Sequence, residues 1–191
     1  ARISFSGERA FEAYVPSDYA AAMMDMLWGA AQSLDGCLYG LEALGALRIE
    51  KGHVTGAELD GRVTIDDAGL GKMASPNKSF IGSVLRQRPE MMREDRKQLV
   101  GIFPKDRSKT FNAGTILCNE ENVSGHGEGY ITAVTHSPAI GHWIGLGFIE
   151  DGHEAWAGKT VVAADPVRDG NIEVEIVSPH MFDPSGERMH G

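Results

Sequence analysis

The sequence predicts an α+β chain in two parts: a hairpin followed by helices over residues 1–90, then a small all-β barrel over residues 98–191. Three observations lead there. Apolar residues recur at helical spacing between Tyr19 and Leu34 and again after Gly40. After Lys97 the pattern changes to short apolar or alternating runs separated by Gly, Asn, Asp and Pro, the signature of a barrel or sandwich. Between the two patterns, Met91 to Lys97 is polar and charged and reads as a linker.

The first element reads as a hairpin. Ile3 and Phe5 share a strand face, Ser6-Gly7-Glu8-Arg9 supplies the turn, and Phe11 to Val15 returns. Pro16 ends it, and Ser17 or Asp18 can cap the helix that follows. That helix carries Met23, Leu27, Ala30, Ala31 and Leu34 on one stripe, with Gly36 as its stop. A second helix steps through Leu41, Leu44, Leu47 and Arg48 and ends at Gly52. The acidic stretch from Glu58 to Asp67 reads as a solvated loop, and Ser79 to Arg88 as a short helix stopped by Pro89. The expected strands are 98–103, 114–118, 129–135, 144–148, 160–164 and 172–177. The chain opens on strand-like alternation with no initiator Met, which reads as a start inside a domain; a processed terminus is the alternative.

Composition narrows the function classes. A formal net charge of −9 with no run of Lys or Arg argues against a nucleic-acid partner, which needs concentrated positive charge. No apolar run is long enough to span a bilayer. The two cysteines, Cys37 and Cys118, lack CxxC spacing, so neither a disulfide framework nor a Cys-rich zinc site is expected, and a reducing, cytoplasmic setting fits. The seven histidines form no HExxH and no pair one helical turn apart, so no metal ligand is assigned. The Glu58–Asp67 stretch lacks the ligand spacing of a calcium loop. Gly125-His126-Gly127-Glu128-Gly129 precedes a strand and reads as a turn rather than a phosphate-binding loop.

Two residues stand out as ligand candidates. Glu8 sits beside Gly7 on a turn, and a carboxylate matches two parallel N–H donors because charged bidentate bonds are strong and directional. A pterin ring presents such an edge; on pattern alone, a turn glutamate is more often simply solvated. Arg48 lies among apolar neighbours near a helix C-terminus. It can fork onto a ligand carboxylate, pair with a nearby acid, or serve the helix dipole. Physical reading of the residues alone yields no reaction.

The order of motifs resembles the glycine-cleavage T-protein family of folate-binding aminomethyl-transfer domains. The pieces are Ile3-Ser4-Phe5-Ser6-Gly7-Glu8-Arg9-Ala10-Phe11-Glu12, Tyr39-Gly40 leading to Leu47-Arg48-Ile49-Glu50-Lys51-Gly52, Thr64-Ile65-Asp66-Asp67-Ala68-Gly69-Leu70 and Lys78-Ser79-Phe80-Ile81-Gly82. Gly129-Tyr130-Ile131-Thr132 and Ser137-Pro138-Ala139-Ile140-Gly141 follow in order. Arg96-Lys97-Gln98-Leu99-Val100-Gly101 and the tail from Phe182 to Gly191 look like the sarcosine oxidase alpha-subunit branch of that family. True T-proteins usually carry a further Arg where this chain has Leu44, which also points to the oxidase branch. His142 stands where many relatives carry Arg, a change without an account.

The resemblance implies a partial folate-binding domain followed by a barrel. It implies that Glu8 holds the pterin of tetrahydrofolate and that Arg48 belongs to the folate site. It assigns no catalytic residue here, because the family's key aspartate comes from the first half of the fold. In the oxidase branch, flavin in another subunit oxidises sarcosine, and tetrahydrofolate captures the one-carbon unit as 5,10-methylenetetrahydrofolate. The implied partners are folate and the other oxidase subunits, with FAD, FMN and NAD elsewhere in the complex and this chain inactive alone. The alternatives are a free-standing aminomethyltransferase, a fragment of a related dimethylglycine or sarcosine dehydrogenase, and a non-catalytic subunit-docking module.

Overall fold

A computed structural model of the chain describes residues 1–119, 123, 126–168 and 170–190. Gly125 of the Gly-rich stretch and Gly191 of the tail therefore lie outside the described residues.

Six strands close into an antiparallel barrel: β1 (Lys97–Pro104), β2 (Ile116–Asn119), β3 (Gly129–Ser137), β4 (His142–Glu150), β5 (Val161–Ala164) and β6 (Ile172–Val177). The order around the barrel is β1-β4-β3-β2-β5-β6, with β6 returning to β1. Closure satisfies the edges that an open sheet would expose. The interior is filled by Val100, Ile102, Leu117, Ile131, Ile149 and Val174 among others, every one almost fully buried. The expected strands correspond to these six, so the α+β class with a C-terminal barrel is what the chain forms.

The strand β4 is apolar nearly throughout because both its faces are covered. Ile149 points into the barrel, while Ile144, Leu146 and Phe148 join Ile49 of an outer helix. That helix, α2 (Leu41–Lys51), lies against β3 and β4. It ends where expected: Gly52 is left-handed at φ 74°, and the His53 amide donates to the Arg48 carbonyl at 2.9 Å. A Cβ on Gly52 would stand 2.5 Å from the Pro179 carbonyl oxygen. Gly52→Ala is therefore expected to lose about 2–4 kcal/mol of stability, from left-handed strain plus the clash, with urea unfolding as the measurement. A loss below about 0.5 kcal/mol would show that the tail at Pro179 is not seated on the helix end.

Four expectations need correction. The N-terminal hairpin does not form: residues 1–16 contain no strand, and only a reciprocal backbone pair between Ala1 and Glu12 (2.7 and 2.8 Å) joins its ends. No neighbouring strand extends that pairing, and Phe11 and Tyr14 stand exposed. Helix α1 (Ala20–Ser33) forms, but neither Ser17 nor Asp18 caps it; a 3₁₀ turn, Ser17–Tyr19, leads into it instead. Its left-handed terminator is Asp35 (φ 60°), with the Gly36 amide bonding the Ala31 carbonyl at 2.8 Å. The short helix α3 shrinks to Ser83–Arg86. Finally, the acidic stretch is not uniformly solvated: Glu58 is fully buried and Asp67 nearly so.

Helix α1 buries no residue: on its stripe Met23 and Ala31 are half-buried and Leu27 is exposed, as is Leu34 just beyond its end. Among the described residues no helix is long and apolar enough to cross a membrane.

Candidate functional site

The last turn of α2 holds three charged residues, Arg48, Glu50 and Lys51, and all three are buried. Cations suit a helix C-terminus, where unpaired carbonyls carry partial negative charge; Glu50 does not. Burial of each requires a partner, and each finds one on a different element.

Arg48 donates through Nη1 to Glu58 Oε2 at 2.9 Å and to the His53 carbonyl at 3.2 Å. Glu58 is saturated: Oε2 also accepts from the Thr55 amide (2.8 Å) and hydroxyl (3.0 Å), and Oε1 accepts from Thr132 Oγ1 at 2.6 Å. Thr132 reaches Glu58 because β3 bulges between Ile131 and Ala133, which turns its side chain out of the regular pleat. Glu50 accepts from Ser137 Oγ at 2.5 Å, at the end of β3. Lys51 donates from Nζ to Asp183 Oδ2 at 2.7 Å and to the Asp183 carbonyl. The Lys51 ammonium, by hydrogen bond, holds the Asp183 carboxyl below the usual carboxylate range, helped by the Arg188 and Glu187 amides.

The Ser4–Glu8 loop rests on this helix end. His53 Nδ1 lies 2.9 Å from the Phe5 carbonyl, so Nδ1 carries the proton. Gly7 is left-handed at φ 83° and presses on Lys51, whose Cδ would lie 2.8 Å from a Cβ at that position. Ser4 Oγ donates to the Glu8 carbonyl at 2.5 Å and accepts from the Gly7 amide at 3.1 Å, which tightens the turn. Glu8 thus projects from an internally bonded turn, with its side chain partly exposed. Its Oε1 accepts from Arg188 Nε at 2.5 Å. Its Oε2 accepts no hydrogen bond among the described residues.

Glu8 and Arg48 therefore flank the same helix end, joined through His53 and Lys51 and not by direct contact. Of the remaining histidines, His142 and His180 also hold backbone carbonyls through Nδ1, at 2.7 and 3.1 Å. Sequence reasoning did not single out Glu50, Lys51, Glu58, Asp183 or Arg188. The run Arg48-Ile49-Glu50-Lys51 before Gly52 carried no signal of its own, because a charged helix end is also what a solvated one looks like.

A separate cleft of about 930 Å³ lies beside the start of β1, lined by Asp66, Asp67, Asn77, Lys78, Arg86 and Arg96 among others, and includes neither Glu8 nor Arg48. Arg86 forks onto Asp66 with two bonds of 2.6 Å and holds its carboxyl below the usual range; Arg96 clasps Asp67 at 2.9 and 3.1 Å. Asp67 thereby ties the loop to the residue before β1, and Asp66 ties it to α3.

Residues 1–78 match the GCVT N-terminal domain, and residues 97–183 match the glycine cleavage T-protein C-terminal barrel domain. The sarcosine oxidase subunit alpha of Rhizobium meliloti (strain 1021) is 36% identical over 99% of this chain, which spans only 19% of that relative's length. An aminomethyltransferase of Exiguobacterium sibiricum is 32% identical over 78% of this chain and 39% of its own. The crystal structure of glycine cleavage system aminomethyltransferase T from Bartonella henselae superposes with a TM-score of 0.77 at 24% identity, covering 96% of this chain and 49% of that one, which supports the fold. With both halves accounted for by its two domain models, the chain belongs to the glycine cleavage T-protein family.

Proposed function

We propose that the chain is the tetrahydrofolate-binding part of a sarcosine oxidase alpha subunit, with residues 1–90 the second half of the folate domain and residues 98–191 the barrel that braces it. The single observation that carries the reading is the match to an oxidase alpha subunit at 36% identity over 99% of the chain. In this reading Glu8 receives the pterin edge: its carboxylate stands on an internally bonded turn, and Oε2 is uncommitted among the described residues. Arg48 offers Nε and Nη2 to the ligand, since only its Nη1 is engaged among the described residues. When bound, tetrahydrofolate supplies the nitrogen nucleophile that takes up the one-carbon unit. This chain's contribution is placement, since a held nucleophile raises effective concentration greatly.

The overall conversion balances as sarcosine, oxygen and tetrahydrofolate giving glycine, hydrogen peroxide and 5,10-methylenetetrahydrofolate. FAD, FMN and NAD belong to the rest of the complex, which is cytoplasmic, and the other subunits are the partners. A second reading, a free-standing aminomethyltransferase, is supported by the 32% identity to the Exiguobacterium sibiricum aminomethyltransferase over 78% of this chain. The test is the intact complex with sarcosine and oxygen, with and without tetrahydrofolate, in the presence of a formaldehyde scavenger. Methylenetetrahydrofolate formed at the rate of oxygen uptake is the expected result. No oxygen uptake with sarcosine, but one-carbon transfer from an aminomethyl carrier protein, would replace this reading with the second.

A further inference from the structure

The C-terminal segment 182–190 bonds the Glu8 turn through Arg188 and the helix end beneath that turn through Asp183. Asp183 takes a left-handed conformation (φ 47°) and collects the Glu187 amide at 3.0 Å and the Arg188 amide at 3.2 Å. The same carboxylate is fixed by Lys51, the residue that Gly7 packs upon. The Arg188 guanidinium lies over the Phe182 ring at 5.3 Å, and Arg2 Nη2 donates to the Met189 carbonyl at 3.2 Å. The contacts close a circuit from Gly7 through Lys51, Asp183 and Arg188 back to Glu8.

The Arg188–Glu8 pair itself is half exposed, with side-chain exposures of 53% and 39%. Pairs of that kind contribute little to stability. The structure nevertheless fixes the Arg188 backbone through its amide on Asp183 and sets its guanidinium over Phe182. The bond engages one oxygen of Glu8, and the other accepts no hydrogen bond among the described residues. A bidentate acceptor works only if its plane is fixed before the ligand arrives, and a glutamate on a turn has three rotatable bonds to fix.

We infer that Arg188 is a positioning residue for Glu8, holding the carboxylate in the plane that receives the two N–H groups of a pterin edge. The inference rests on the reading of Glu8 as the pterin anchor. The ligand class is a 2-amino-4-oxopteridine, because such a ring offers a ring N–H and an exocyclic amine side by side.

The test measures dissociation constants in the intact protein for tetrahydrofolate and for an analogue carrying methyl in place of the 2-amino group. The variants are Glu8→Gln, Arg188→Gln and Arg188→Lys. Arg188→Gln is expected to weaken tetrahydrofolate about tenfold while changing the analogue less than about twofold. Arg188→Lys keeps the charge but loses the Nε donor and the flat group over Phe182, so it is expected to restore only part of that loss. Melting temperatures within about 2 °C of the parent are expected for both Arg188 variants. Equal weakening of both ligands by Arg188→Gln would make the tail a mere structural brace and overturn the inference, as would no weakening of either. Glu8→Gln separates the two levels. If it weakens tetrahydrofolate while Arg188→Gln does not, only the positioning role fails; if it has no effect, the anchor reading fails and the inference with it.

Discussion

Arg48→Ala is expected to destabilise the protein by about 3–5 kcal/mol, because it removes the only cation among the described residues that pairs with the fully buried Glu58 carboxylate. Glu58 is fully buried, and its remaining donors are the Thr55 amide and hydroxyl and the Thr132 hydroxyl, all neutral. At this chain length each kcal/mol corresponds to about 2–4 °C, so the melting temperature should fall by roughly 6–20 °C. The double variant Arg48→Ala/Glu58→Gln should recover part of the loss, since the uncompensated charge goes while the threonine bonds can remain. The double variant also separates two roles for Arg48. If Arg48 serves only Glu58, tetrahydrofolate affinity returns along with stability; if it also contacts the ligand, stability returns and affinity does not. A loss of about 1 kcal/mol or less in the single variant would mean that Glu58 has access to water and that the pair behaves as a surface one.

The barrel was legible in the sequence because its signal is local. Each strand alternates or runs apolar between turn residues, and closure gives every one a neighbour on both sides. The Ile3–Phe5 alternation looked the same but names no partner: strand pairing is a property of two segments, and here only the Ala1–Glu12 pair forms. Helix α1 shows the reverse separation, where periodicity foretold the helix correctly but not what its stripe would meet. The acidic stretch was misread because the burial of a carboxylate depends on residues far along the chain. Arg48 lies ten residues from Glu58, Thr132 lies 74 away, and Arg96 lies 29 from Asp67. The same limit hid Arg188, which reaches Glu8 across 180 residues. Composition and spacing expose which side chains carry charge; only the packed barrel decides which of them meet.

Glu8→Gln is expected to weaken tetrahydrofolate binding about ten- to a hundredfold, or roughly 1.4–2.7 kcal/mol. The substitution keeps the shape of the side chain and changes two things. The negative charge that strengthens both hydrogen bonds is gone, and one oxygen becomes an NH₂ group that faces a donor on the pterin instead of accepting from it. The fold should hardly notice. Glu8 is partly exposed, its ion pair with Arg188 is of the weak surface kind, and the turn is held by Ser4, Gly7 and Lys51 rather than by the carboxylate. Affinity and stability are therefore expected to part company at this residue, in contrast to Arg48, where stability falls most. Glu8→Asp keeps the charge but withdraws it by one methylene, so its affinity should lie between those of the parent and the Gln variant. Isothermal titration of the three proteins, alongside their melting curves, reads both quantities. Unchanged affinity in Glu8→Gln would remove the turn from the folate site. A loss of affinity matched by a loss of stability would assign Glu8 to holding the turn together, leaving the pterin to be recognised by other residues.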